Sequence, residues 1–276
     1  MNRRPGPDGI GARLGDLALE IEDHERELSE RWTGMQGGLV RSTDEMLLFV
    51  VGEPVAFTNG VRMARLRPED ADHRIEEAAA VFRDRGVPAT WWVGPASRPR
   101  DLGARLVRHG FALRDGVPWL SRALDDLSPV PPPQRIEVHR VSSSELEASW
   151  LEAMAAGFGL DRTTTDAVAR LSRVVGFAEE APWQRFVALE EGRAVCSSGL
   201  MAGERLASIH NVATAPGARG RGLATAMTAL ALERARALEY RAAVLGAATP
   251  AARRLYGRMG FGFECSIEEY LLESEP

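Results

Sequence analysis

Arg205 to Ala224 reads RLASIHNVATAPGARGRGLA, and this stretch decides the fold. It runs from a strand-like segment through a Pro-Gly break into a turn rich in glycine and arginine, and from there into a helix. A turn of this kind aims several backbone N–H groups and the positive end of a helix at one point, which holds phosphate without a side-chain cage. The stretch is read as an anion cradle between a central strand and a helix.

Downstream, Leu223, Met227, Leu230, Ala231, Ala235 and Leu238 recur every three or four residues, giving one apolar face to lie on a sheet. Ala242 to Leu245 reads as a short apolar strand. The segment TPAARRLYGRMGF follows, with Thr249 as N-cap, Pro250 as first helical residue and Gly260 as left-handed stop.

Arg219-Gly220-Arg221-Gly222-Leu223-Ala224 fits, at every fixed position, the Gln/Arg-x-x-Gly-x-Gly/Ala cofactor loop of the GNAT superfamily of acyl-CoA-dependent N-acyltransferases. Leu255-Tyr256 and Gly260-Phe261 match the second signature of that family, at the right distance and after a strand and a helix. The chain therefore resembles a GNAT protein, closely in its C-terminal half and weakly in its N-terminal half. Thr249 departs from the pattern, since many members carry Asn there.

The resemblance implies an α/β fold of two tandem GNAT-like domains, each a mixed, largely antiparallel sheet flanked by helices. It implies acetyl-CoA as co-substrate, with the amides of Arg219 to Ala224 on the pyrophosphate, the strand end Val212-Ala213-Thr214 along the pantetheine arm, and a contact from Thr249. The acceptor it implies is a primary amine of a small molecule, attacking directly in a ternary complex. The oxyanion would meet a backbone N–H near Val212.

An ammonium has no free lone pair, so a base near neutral pKa helps, and histidine suits that task. His210 lies on the central strand, and its spacing to Arg219 matches a catalytic histidine of arylalkylamine-type members. Other members use a Glu on this strand, where Ser208 and Asn211 stand here. The plainer alternative is that His210 packs or caps a bulge. Tyr256 is the expected acid for the leaving thiolate, its reference pKa of about 10 lying above the thiol's at about 8.5; the alternative is a core tyrosine.

The chain has 276 residues, 45% hydrophobic and 26% charged, with room for about two domains. Its net charge is -5, and arginine supplies every basic side chain because there is no lysine. That argues against a general nucleic-acid role and favours a cationic substrate. Two cysteines, Cys196 and Cys265, are too few for a disulfide framework or a metal cluster and are expected as buried spectators in a reducing cytoplasm. No signal peptide, no membrane-spanning run and no metal site are expected, and the protein is expected as a monomer or homodimer.

In chain order, a disordered-looking start leads into an amphipathic helix over Ala12–Trp32. Strands are expected over Met46–Val51 and Val55–Met63, a helix over His73–Arg85, a strand over Ala89–Val93 and a helix over Arg100–His109. Proline-rich SPVPPPQ, Ser128 to Gln134, reads as a linker, dividing residues 1–127 from 135–276. Beyond it the reading gives a strand over Ile136–Val141, a helix capped by Ser142 and Glu145 to about Ala156, and a helix over Thr165–Val175. Strands Gln184–Leu189 and Arg193–Met201 precede the central strand.

The halves read as a duplication. Gly110-Phe111 and Gly260-Phe261 stand 260 − 110 = 150 positions apart, and the same offset carries the cradle onto Glu69-Asp70-Ala71-Asp72-His73-Arg74 and Tyr256 onto Leu106. Carboxylates where phosphate would bind mark the N-terminal copy as degenerate. Trp91, Trp92, Trp183 and Phe158 are candidates to line a substrate pocket. A dinucleotide fingerprint at Gly220-Arg221-Gly222 fails because Thr225 replaces the third glycine. A non-catalytic acyl-CoA-binding sensor is the other function the sequence allows.

Overall fold

The computed structural model describes residues 14–274. The start of the chain, and Ala12 and Arg13 of the expected first helix, lie outside the described residues.

The N-terminal half carries α1 (Leu14–Met35), β1 (Leu39–Ser42), β2 (Leu47–Val50), β3 (Asn59–Arg62), α2 (Ala71–Asp84), β4 (Ala89–Val93), α3 (Leu102–Arg108) and β5 (Ala112–Ala123). The C-terminal half carries β6 (Ile136–Arg140), α4 (Ser144–Phe158), α5 (Arg162–Val175), β7 (Trp183–Glu190), β8 (Arg193–Ala202), β9 (Ala207–Thr214), α6 (Leu223–Ala237), β10 (Ala242–Gly246), α7 (Pro250–Arg258) and β11 (Gly262–Leu272). Residues 128–134 form no helix or strand.

The eleven strands of the described residues join one mixed sheet in the order β1-β2-β3-β4-β11-β5-β10-β9-β8-β7-β6. The halves exchange their last strands. β5 pairs antiparallel with β10, from Ala242 opposite Ala123 to Gly246 opposite Trp119, while β11 pairs antiparallel with β4, from Glu268 opposite Val93 to Leu272 opposite Ala89. β5 and β11 also pair with each other at the centre.

The same helix-ending turn occurs in both halves. Phe111 N–H donates to Leu106 C=O at 3.0 Å, and Phe261 N–H donates to Tyr256 C=O at 3.0 Å, after glycines at φ 87° and 83°. Each glycine sits in the left-handed region that ends a helix and turns the chain into the exchanged strand.

Four apolar clusters hold the sheet among the described residues, one of them, with Ile75, Phe82, Trp91, Leu106 and Phe111, in the N-terminal half. Met227, Ala231 and Leu232 of α6 with Tyr256 and Phe261 pack on one face of the C-terminal half. On the other face, Trp150 of α4 meets Trp183 of β7 edge-on at 5.4 Å between centroids. α1 lies across the middle of the sheet, where Ile21 packs with Phe49, Trp92 and Trp119 and reaches Leu206 and Val244 of the C-terminal half. A helix of the first half thus roofs strands of the second.

Several local expectations are corrected. The N-cap of α4 is Ser143, whose Oγ accepts from Leu146 N–H, one residue after the Ser142 expected. α2 starts at Ala71, two residues before His73. The strand expected over Val55–Met63 is a 3-10 turn at Ala56–Thr58 followed by the four-residue β3. β1, β5 and β11 went unread.

Candidate active site

β9 and β10 run parallel but pair only at Ala207 with Ala243 and Ser208 with Val244, and then part. In the first half β3 and β4 also pair at two positions, but the segments that follow them meet again. Beyond Gly60 with Thr90 and Val61 with Trp91, they pair again where Arg98 N–H donates to Ala64 C=O at 2.8 Å and Leu66 N–H to Arg98 C=O at 3.1 Å. The fold opens a cleft between the C-terminal pair and closes the matching gap between the N-terminal pair.

The open cleft encloses about 780 Å³ and collects His210, Val212, Ala213, Thr214, Arg219, Gly220, Gly222, Leu223, Ala224, Thr249 and Tyr256. Of the catalytic and cofactor residues picked from the sequence, Arg221 alone does not line it. Its guanidinium turns to Glu190 on β7 in a two-pronged pair at 2.8 and 2.5 Å. Arg219 also acts within the protein: Nη2 donates to Gly157 C=O at 2.8 Å and Nε to Thr214 C=O at 3.2 Å, tying the cradle to the ends of α4 and β9.

The cradle is therefore a backbone device. Gly220 and Gly222 sit at φ 76° and 80°, a region costly for residues with a Cβ, and nothing lies within 4 Å of a Cβ built on either. α6 starts directly after Gly222, and the first four amides of a helix have no intrahelical partner. Open space, free donors and a positive helix end fit a pyrophosphate. Thr249 caps α7 as expected, its Oγ1 accepting from Ala252 N–H at 3.1 Å.

β9 carries a bulge beside the cleft. Gly199 pairs with His210 and Ser197 with Ala213, so Asn211 and Val212 stand opposite Ser198 alone, with Asn211 at φ 56°. A bulge leaves its extra residue out of the ladder and re-aims the neighbouring side chains. His210, just before it, is 25% exposed at its side chain and meets Trp119 edge-on at 6.3 Å. Burial lowers its pKa below the ordinary histidine value, opposed by Glu25 and assisted by Arg62, which favours the neutral ring.

Tyr256 is buried at the inner wall, 5.6 Å from the Phe261 ring. Burial pushes its phenol up to about 12, with Thr228 of α6 pulling the other way and Cys196 adding to the rise. Cys196 and Cys265 are both buried, and burial raises their thiols to about 11 and about 12, so both stay protonated. Among the described residues no group of His, Cys, Asp or Glu is placed to hold a metal ion, and no helix is long and apolar enough to cross a membrane.

Sequence reasoning missed Trp119, Gly157 and Arg258. Trp119 enters the cleft on the exchanged strand β5. Gly157 lets α4 approach β9, since a Cβ there would stand 2.7 Å from Ala213 Cβ and 2.9 Å from Thr214 N. Of the four aromatic candidates, Phe158 lines the cleft and is 52% exposed, whereas Trp91, Trp92 and Trp183 are core residues.

Residues 136–261 match the acetyltransferase (GNAT) family model, so this part of the chain is a GNAT domain. Solved structures extend the fold likeness over almost the whole chain. A GCN5-related N-acetyltransferase from Kribbella flavida superposes with a TM-score of 0.72 at 18% identity, covering 95% of this chain and 96% of that one. One from Sphaerobacter thermophilus gives 0.62 at 19%, covering 99% and 95%. A tandem GNAT protein from the clavulanic acid biosynthesis pathway gives 0.60 at 14%, covering 95% and 94%. No curated protein matches the chain.

Proposed function

We propose that the protein moves an acetyl group from acetyl-CoA to a primary amine of a small molecule, by direct attack in a ternary complex. One observation carries this reading: β9 and β10 part beside the glycine cradle, and the cleft they open holds both His210 and Tyr256. When bound there, acetyl-CoA supplies the reactive thioester.

On this reading the amides around Gly220 to Ala224 hold the pyrophosphate and Val212 to Thr214 offer backbone to the pantetheine arm. His210, neutral through burial, takes the proton of the acceptor ammonium. The backbone freed by the bulge at Asn211-Val212 meets the developing oxyanion. Tyr256 holds its proton at about 12. Passing it fully to a thiolate near 8.5 would be uphill by about 3.5 pK units, roughly 5 kcal/mol. Its hydroxyl therefore acts as a hydrogen-bond donor to the sulfur as charge develops, and solvent completes the protonation.

We further read residues 135–276 as the transferase unit and residues 1–127 as a degenerate copy joined by the 128–134 linker. Asp70, the N-cap of α2 where α6 has Gly222, and the bridge between Arg65 and Arg98 beyond β3 and β4 support this. The working protein is taken to be cytoplasmic, monomeric or homodimeric, with no nucleic acid or membrane partner, and its reaction needs no metal.

A thiol-release assay with acetyl-CoA against a panel of primary amines tests the function. Acceptor-dependent release of free thiol is expected. Tight acetyl-CoA binding with no turnover on any amine would instead make the protein a binding module.

A further inference from the structure

Behind His210, on the side away from the cofactor cradle, lies a buried polar cluster that acetyl transfer as described leaves unused. His210 Nε2 lies 2.7 Å from Ser208 Oγ, and the same hydroxyl lies 2.7 Å from His24 Nε2 on α1. Glu25, the next residue of α1, brings Oε1 to 3.7 Å from His210 Nε2. That oxygen has no hydrogen-bond partner, although Glu25 is only 7% exposed. Its other oxygen is held by Arg62 Nη2 at 3.2 Å. Arg62 is itself fixed by donating from Nε to Ser29 Oγ at 2.8 Å and by lying 3.9 Å over the Trp92 ring.

A buried carboxylate oxygen without a donor is costly to keep. This one faces the ring nitrogen that becomes positive when His210 takes a proton. We propose that α1 supplies positioning residues for His210: Glu25, which stabilises the imidazolium formed on proton transfer, and His24, which through Ser208 fixes the ring. The inference rests on the reading of His210 as the base.

The protons balance as follows. The ammonium N–H bond breaks and a new N–H bond forms at His210 Nδ1, because Nε2 is already engaged by Ser208. The imidazolium then donates from Nε2 to Ser208 Oγ. A serine hydroxyl that accepts there passes its own hydrogen to the other neighbour, so His24 Nε2 has to be bare. Burial pushes His24 down to about 4, which keeps it neutral and able to accept. The proton stays on His210, and none leaves the cluster. The charged and titratable groups facing His210 are thus Glu25 and His24 from α1 and Arg62 from β3, with Trp119 from β5 closing the remaining side. Arg62 opposes the imidazolium, and its pairing with Glu25 mutes that effect.

The test is an NMR titration of the full chain labelled with 15N-histidine, whose five histidines give resolvable rings, with His210 assigned from His210→Gln. Glu25→Gln and Ser208→Ala are each expected to move the His210 midpoint to lower pH, and Glu25→Asp to restore part of the shift. The acid limb of kcat/KM is expected to follow the midpoint down, while its plateau falls about tenfold because a weaker base transfers less. Glu25→Gln also leaves Arg62 without its partner, so its melting temperature is measured alongside; Ser208→Ala leaves that pair intact. A His210 midpoint unmoved in both variants overturns the inference. A midpoint that moves while the acid limb stays in place refutes His210 as the base instead.

Discussion

Gly222→Ala separates cofactor binding from folding. At φ 80° a Cβ costs about 1–2 kcal/mol, and no clash adds to that because nothing lies within 4 Å of it. For a chain of this length each kcal/mol lowers Tm by about 2–4 °C, so a loss of about 2–8 °C is expected. The new methyl also stands in the cradle. Losing one hydrogen bond to a charged phosphate costs about 1.5–3 kcal/mol, a roughly ten- to hundredfold weaker Kd for acetyl-CoA. Gly110→Ala is the matched control: φ is 87°, its Cβ meets nothing, and it follows α3 in the half without the cradle. Thermal melts and a fluorescence displacement assay on both variants give the answer. Equal loss of Tm with a weakened Kd in Gly222→Ala alone is expected. Unchanged affinity in Gly222→Ala would refute the backbone cradle.

Tyr256→Phe should leave acetyl-CoA affinity nearly intact and lower kcat about ten- to hundredfold, the worth of one hydrogen bond to a developing thiolate; undiminished turnover per folded molecule would remove Tyr256 from the chemistry. His210→Ala should lose most activity below the acceptor's pKa and recover in part at high pH, where free amine is abundant, and an unchanged pH profile would return His210 to a packing role. His24, at about 4 in the fold against an ordinary 6.5, binds its proton more readily unfolded, so stability should fall as pH drops from about 6.5 to about 4, by up to about 3 kcal/mol. His24→Gln should flatten that limb in urea titrations, and an equally steep limb would contradict the assignment. Gly157→Val should prise α4 from Ala213 and Thr214, costing about 1–3 kcal/mol and disturbing the pantetheine strand; a wild-type Kd for acetyl-CoA and Tm would show that the close approach is unimportant.

The glycine-loop side of the cleft was legible because its backbone requirements are local. Gly220, Gly222, Thr249 and Gly260 each answer a backbone requirement that lies within a few residues, and their positions follow from it. The exchange of β5 and β11 was not legible. Arg114, Asp115, Gly116 and Pro118 interrupt any alternation in β5, and Glu264, Glu268 and Glu269 do the same in β11, yet both strands are held at the centre by neighbours far away in sequence. Tertiary pairing overrides weak strand propensity there. Trp119 entered the cleft unread for the same reason. The side-chain pairing of Arg221 was not legible from its place in the motif, since nothing near it in sequence announces Glu190 thirty-one positions earlier. His24 and Glu25 look like ordinary members of a charged helix until that helix is laid across β9.

The central claim is that one cleft, in the C-terminal half, binds the cofactor. Calorimetric titration of acetyl-CoA into the wild-type chain and into Gly222→Glu tests it most directly. One molecule per chain for the wild type, and none for the variant whose carboxylate occupies the cradle, is the expected result. Two molecules per chain, or one still bound to folded Gly222→Glu, would contradict it.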